Sequence, residues 1–133
     1  MSIKIFILLC MIFCHIVDDY YLQGVLASMK QKKWWSEHAP DKMYKYDYIV
    51  ALIMHGFSWA FMVHLPLLFY SYRIMNVNGF MMCLFLIPFH ALLHSYIDDM
   101  KANKRSINLI CDQMAHMMQI ASSYYIIVFA ACK

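Results

Sequence analysis

The sequence predicts an all-α, polytopic membrane protein: a bundle of four transmembrane helices forming a single domain over residues 1–133. Three observations predict it. Hydrophobic residues make up 63% of the chain and charged residues 14%, against about a quarter charged in a soluble domain. The charges fall in short stretches between four apolar runs, each near the roughly 20 residues of helix that a hydrocarbon core requires. The alternation of a lipid-facing β-strand is absent, which favours helices over a barrel.

The first predicted span is Ile3–Leu26. Lys4 and the apolar stretch Ile5 to Cys14 resemble a signal peptide. His15, Asp18 and Asp19 follow at once, however, and no small-x-small cleavage site precedes the next polar loop, so a retained helix is expected. A basic aromatic loop, residues 27–45, comes next. It mixes Lys30, Lys32, Lys33, Lys42 and Lys45 with Trp34, Trp35 and Tyr44, and Tyr46 and Tyr48 follow it. Aromatic rings favour the headgroup layer and lysines favour anionic lipid. The loop reads either as a short amphipathic helix on the inner leaflet or as a solvated loop that sets topology. Nucleic acid is excluded as a partner, because net charge is only +3 and no recognition motif accompanies the lysines.

The remaining spans are Tyr46–Tyr72, Gly79–Met100 and Ile107–Cys132, joined by tight turns at Arg73–Asn78 and Lys101–Ser106. Loops one and three hold eight Lys and Arg, counting Lys101, Lys104 and Arg105. The opposite side holds three: Lys4, Arg73 and Lys133. The positive-inside rule then puts loops one and three in the cytoplasm and both termini outside, in a bacterial inner membrane. None of the five cysteines (Cys10, Cys14, Cys83, Cys111, Cys132) forms a CxxC pair, so they read as small hydrophobes. Cys111, beside Asp112, is a remote ligand candidate. The thirteen methionines read as packing and lipid contact. Oligomeric state is open, since no GxxxG pattern guides it.

Three His–Asp pairs lie inside these apolar runs: His15 with Asp19, His94 with Asp98, and Asp112 with His116, each four residues apart. That spacing is about one helical turn, so each pair shares a face. Ionisable groups within a membrane span are costly and default to a functional reading. In the predicted orientation every Asp is one turn nearer the cytoplasm than its His. His15, His55 and His116 sit at similar depth, roughly 14–16 Å from the cytoplasmic helix ends at ~1.5 Å per residue. His94 comes out shallower unless its helix continues toward Asn103, and His90, one turn deeper, could replace or join it. Gln23 extends the stripe of His15 and Asp19. Lys101 is placed either to pair with Asp98 or to meet an anionic substrate. Asp18 and Asp99 point away from their neighbours and are second choices; His38 and His64 read as incidental.

Two chemistries need such a layer of histidines backed by carboxylates. Imidazole and carboxylate are ligands for zinc first, and for manganese or iron. His15, Asp19, His94, Asp98, Asp112 and His116 would hold one or two divalent ions, with His55 as a ligand or general acid/base. Gln23 and Lys101 would orient the substrate's polar group. An open coordination position would activate water, so the leading expectation is a metal-dependent hydrolase acting on a lipid or lipid-linked substrate from the cytoplasmic side. Buried His and Asp can instead relay protons or hold a permeating cation. The bland alternative is that each His bonds its Asp and the pairs glue helices together.

Three motifs carry a resemblance: His15-Ile-Val-Asp-Asp19-Tyr-Tyr-Leu22-Gln23, the Leu-Ile-Met-His55 segment, and His94-Ser-Tyr-Ile-Asp98-Asp-Met-Lys101 followed by Asp112-Gln113-Met-Ala-His116. With them the chain resembles a family of small integral-membrane proteins of unknown function found in phages and bacteria. It departs from that pattern in its longer, Trp- and Lys-rich first loop. It is also similar in style to membrane-bound metal-dependent hydrolases. The first resemblance implies a phage-encoded membrane protein. It keeps open a third function, an effector that binds a host membrane protein, as in superinfection exclusion.

Overall fold

The structure, a computed structural model, describes residues 2–130. Cys132 and Lys133 therefore lie outside the described residues, as does the last part of the fourth predicted span. The described residues form six α-helices and no strand. Helix α1 (Ile3–Ile16) continues as a π-helical turn over Val17–Leu22. Two short helices follow, α2 (Leu26–Met29) and α3 (Lys32–His38), then a 3₁₀ turn at Lys42–Tyr44. The long helices are α4 (Asp47–Arg73), α5 (Val77–Ala102) and α6 (Leu109–Tyr125), the last continuing as a π-helical segment over Ile126–Ala130.

Three stretches are long and apolar enough to cross a membrane: Ile3–Leu22, Lys42–Arg73 and Val77–Ala102. Helix α6, the expected fourth span, does not reach that standard. It carries Asp112, Gln113, His116 and Gln119 on 17 residues, and these lower its hydropathy.

Helix boundaries depart from expectation where backbone chemistry intervenes. The first helix stops at Leu22 rather than Leu26, because Gly24 adopts φ +49°, a left-handed conformation natural to glycine and unsuited to a helix. Helix α5 starts earlier and ends later than expected. The Asn76 side chain accepts from Gly79 N at its start, and the helix runs on to Ala102. The first loop is ordered against the bundle. Trp35 Nε1 donates to Met29 O (2.7 Å), Lys32 N donates to Asn103 Oδ1 (2.8 Å), and Asn103 Nδ2 donates to Lys30 O (3.0 Å). These bonds tie the loop to the end of α5 and turn Lys30 inward, where it is only 6% exposed.

The tightest helix pair is α4 and α5. At Gly56 a Cβ would stand 2.3 Å from Ser95 Oγ and 2.5 Å from Ala91 O. Ser95 Oγ donates across this crossing to Leu52 O (2.9 Å). Met11, Trp59, Val63, Leu67, Cys83 and Ile127 fill the apolar core between α1, α4, α5 and the segment after α6. Phe57, Phe69, Phe85, Phe89, Leu92 and Met118 face outward, whereas His15, His55, His94, His116, Asp18, Asp98 and Asp112 are buried. Polarity is therefore inside and apolar surface outside, the inverse of a water-soluble domain.

Candidate metal centre

Five elements supply the polar core. The π-helical turn after α1 turns two consecutive residues, Asp18 and Asp19, into the bundle. Asp18 Oδ2 lies 3.8 Å from His55 Nδ1, and Asp19 Oδ1 lies 3.4 Å from His55 Nε2. The two carboxylates thus face opposite edges of one imidazole. A regular α-helix would send neighbours about 100° apart, so ranking Asp18 as a second choice is corrected: the wider π turn brings both inward. Ser58, one turn after His55, donates to Asp18 Oδ1 (2.6 Å). Asp99, the other second choice, stays outside the cluster, paired with Lys104 at 3.3 Å.

Helix α5 contributes His94 and Asp98. His94 Nε2 lies 3.1 Å from His55 Nε2 and 3.8 Å from Asp98 Oδ2, which is itself 3.5 Å from His55 Nε2. Helix α6 contributes Asp112 and His116. His116 Nε2 lies 3.5 Å from Asp112 Oδ1 and 3.7 Å from Asp98 Oδ1. Trp59 packs flat on His94 (4.3 Å, 20°), and His94 stacks on His116 (4.0 Å, 26°). That stack fixes both rings.

Two of the three expected pairs are in contact, and the first is not. His15 Nδ1 accepts from Trp59 Nε1 (2.8 Å), so its proton is on Nε2, which donates to Gln113 Oε1 (3.1 Å). Both imidazole nitrogens are engaged. Gln113 Nε2 donates in turn to Asp19 Oδ2 (2.9 Å), making Gln113 the link between His15 and Asp19. Gln23 Nε2 donates to Asp19 Oδ1 (2.8 Å) and to the Asp19 carbonyl.

The expected partner of Lys101 is also corrected. Lys101 Nζ bonds Asp112 Oδ2, while Asp98 Oδ2 accepts from Lys30 Nζ at 2.5 Å. Lys30 was hidden from sequence reasoning among the loop lysines. Trp59 and Ser58 carried a usable signal, one turn beyond His55, as did Gln113 beside Asp112.

A second polar group lies deeper in the bundle, around His64. His64 is fully buried, and its Nδ1 donates to Ala60 O (2.7 Å). Ser123 Oγ lies 3.0 Å from His64 Nε2 and 3.1 Å from His90 Nδ1. His90 therefore joins His64 instead of substituting for His94. Gln119 connects the two regions, 3.4 Å from His116 Nδ1 and 3.5 Å from the His90 carbonyl. Cys111 is exposed, and His38 stacks on Trp34 in α3; neither reaches the cluster.

Two groups of buried side chains have the geometry to hold a metal ion: Asp19, His55 and His94, and His94, Asp98 and His116, with the ligand atoms of each group within 4.8 Å of one another. Asp98 Oδ1, Asp112 Oδ1, His116 Nε2, His94 Nδ1 and Asp18 Oδ2 are buried without hydrogen-bond partners. Such atoms are rare in folded proteins. Four buried carboxylates, Asp18, Asp19, Asp98 and Asp112, share this core with two ammonium groups, Lys30 and Lys101. Beside the cluster a cavity of about 370 Å³ is lined by Asp19, Tyr20, Gln23, Lys30, Asp98, Lys101, Arg105 and Gln113. Set against known protein families, curated proteins and solved structures, the chain matches none of them.

Proposed function

We propose that this chain is a metal-dependent, hydrolase-like membrane enzyme of a phage or bacterial inner membrane, acting on a lipid or lipid-linked substrate from the cytoplasmic side. The observation that carries the reading is the buried donor set itself. Its side chains converge at ligand distances from four parts of the chain, and several of its atoms lack hydrogen-bond partners. Zinc suits mixed imidazole and carboxylate ligands best, with manganese or iron as alternatives. His55, His94, Asp19, Asp98, Asp112 and His116 would hold the ion. His15, with both nitrogens engaged, would position Asp19 through Gln113. The ion would supply Lewis acidity and activate a water at the site.

The cavity supports the substrate class. Arg105 offers positive charge to an anionic headgroup, while Tyr20 and Leu109 at its wall belong to the exposed apolar surface of the bundle. In this reading α6 and the segment after it form the fourth span. Leu109–Ala130 comprises 22 residues, about 33 Å of helix at ~1.5 Å per residue. Its polar residues face the site instead of lipid.

Metal content of the detergent-purified protein, measured by elemental mass spectrometry, tests the proposal. Wild type should carry at least one zinc, manganese or iron per chain, and a folded His94→Ala/Asp112→Ala variant should carry none. A wild type that neither contains nor takes up a divalent ion sinks the enzyme reading. The chain His116–Gln119–His90–Ser123–His64 favours a second reading, proton conduction along a buried polar path. Proton flux into liposomes, abolished by Ser123→Ala, would then be seen in protein without metal.

A further inference from the structure

Asp98 presents its two oxygens to two different groups of ligand atoms. Oδ2 faces His55 Nε2 (3.5 Å) and His94 Nε2 (3.8 Å), and His55 Nε2 is 3.4 Å from Asp19 Oδ1. Oδ1 faces His116 Nε2 (3.7 Å), which is 3.5 Å from Asp112 Oδ1. Ligand atoms around a tetrahedral zinc stand roughly 3.3–3.5 Å apart, given bonds of about 2.0–2.1 Å. The separations of Asp98 Oδ2 from His55 and His94, and of His116 from Asp98 Oδ1 and Asp112 Oδ1, lie within a few tenths of an ångström of that spacing, and they describe two cation positions on either side of one carboxylate. In the second group Asp98 Oδ1, Asp112 Oδ1 and His116 Nε2 are all buried and all without a hydrogen-bond partner. The other oxygens of the same carboxylates are held by Lys30 and Lys101. This leaves Oδ1 of each turned toward His116.

We infer that the site takes a pair of divalent cations bridged by Asp98, and that its ligand class is a phosphate ester dianion. This rests on the metal-dependent reading above. The first ion is held by Asp19, His55, His94 and Asp98 Oδ2, the second by Asp98 Oδ1, Asp112 Oδ1 and His116 Nε2. Two cations held by a shared carboxylate form the clamp that suits in-line displacement at phosphorus. The adjoining cavity carries Arg105 on its wall, where such a dianion would sit.

The experiment is a manganese titration of the purified, detergent-solubilised full chain, with and without phenylphosphonate, a non-hydrolysable phosphate-ester analogue. Bound ions are counted by equilibrium dialysis and spin coupling is read by electron paramagnetic resonance. Wild type should bind two manganese ions with an exchange-coupled signal, and the analogue should tighten the second by about ten-fold. Asp112→Asn should keep one uncoupled ion, whose retention shows that the variant is folded. A single ion per chain under all conditions, or a second ion that the analogue does not affect, overturns the pair and its ligand class while leaving a one-metal enzyme standing. No bound ion at all removes the metal reading itself.

Discussion

Lys30 shows how a single side chain changes character once the chain is folded. By sequence it is one of five lysines in a basic loop, indistinguishable from Lys32 or Lys33. In the structure it is buried and bonded to Asp98, while Lys32 and Lys33 stay exposed. Removing one member of a buried ion pair costs about 3–5 kcal/mol, because the other charge is left uncompensated. Lys30→Met should therefore lower thermal stability sharply in detergent containing a chelator. Zinc or manganese should restore most of the loss, since a divalent cation can take over the stranded negative charge. A variant as stable as wild type without metal, or one that metal fails to rescue, would contradict this. Residue types in the site were largely legible: His94, Asp98, Asp112, His116, Asp19 and His55 are all in contact with the cluster. The failures came from residues whose role depends on a neighbour's choice of partner. His15 turns to Trp59 and Gln113, and that choice is made by packing across helices that spacing along one helix does not encode.

At the scale of elements, the long helices were legible because their apolar runs are uninterrupted, and α4 starts and ends within one residue of its expected bounds. What stayed illegible was local winding. The π-helical turn at Val17–Leu22 has no compositional mark, yet it decides that Asp18 and Asp19 both face inward. The α4–α5 crossing is set by glycine. A methyl group at Gly56 would collide with the Ala91 carbonyl, a backbone atom that no rotamer change can move. Gly56→Ala should force the helices apart, cost about 1–3 kcal/mol by overpacking, and displace His55, the preceding residue, relative to His94. Thermal unfolding and metal occupancy should fall together. An unchanged melting temperature would show that the crossing relaxes without cost.

For the molecule as a whole, the orientation expected from the sequence rests on charge asymmetry. With Lys30 and Lys101 withdrawn into ion pairs, loops one and three still hold six basic residues, among them Lys32, Lys33, Lys104 and Arg105, against Lys4, Arg73 and Lys133 in the remaining segments. A reporter enzyme active only outside the cytoplasm should work when fused after Met75 and fail when fused after His38, and the reverse pattern would invert the bundle. The polar face of α6 has a further consequence for how the chain is made. In the proposed four-span reading, α6 carries Asp112, His116 and Gln119 into the bilayer, and such polar residues oppose insertion of an isolated helix. Helix α5 delivers Lys101 to Asp112 and Asp98 to His116, so in that reading the last two helices reach the lipid best as a hairpin already sharing its charges. Biogenesis and chemistry then draw on the same residues, and a substitution that disarms the site would also be felt at the moment of membrane entry.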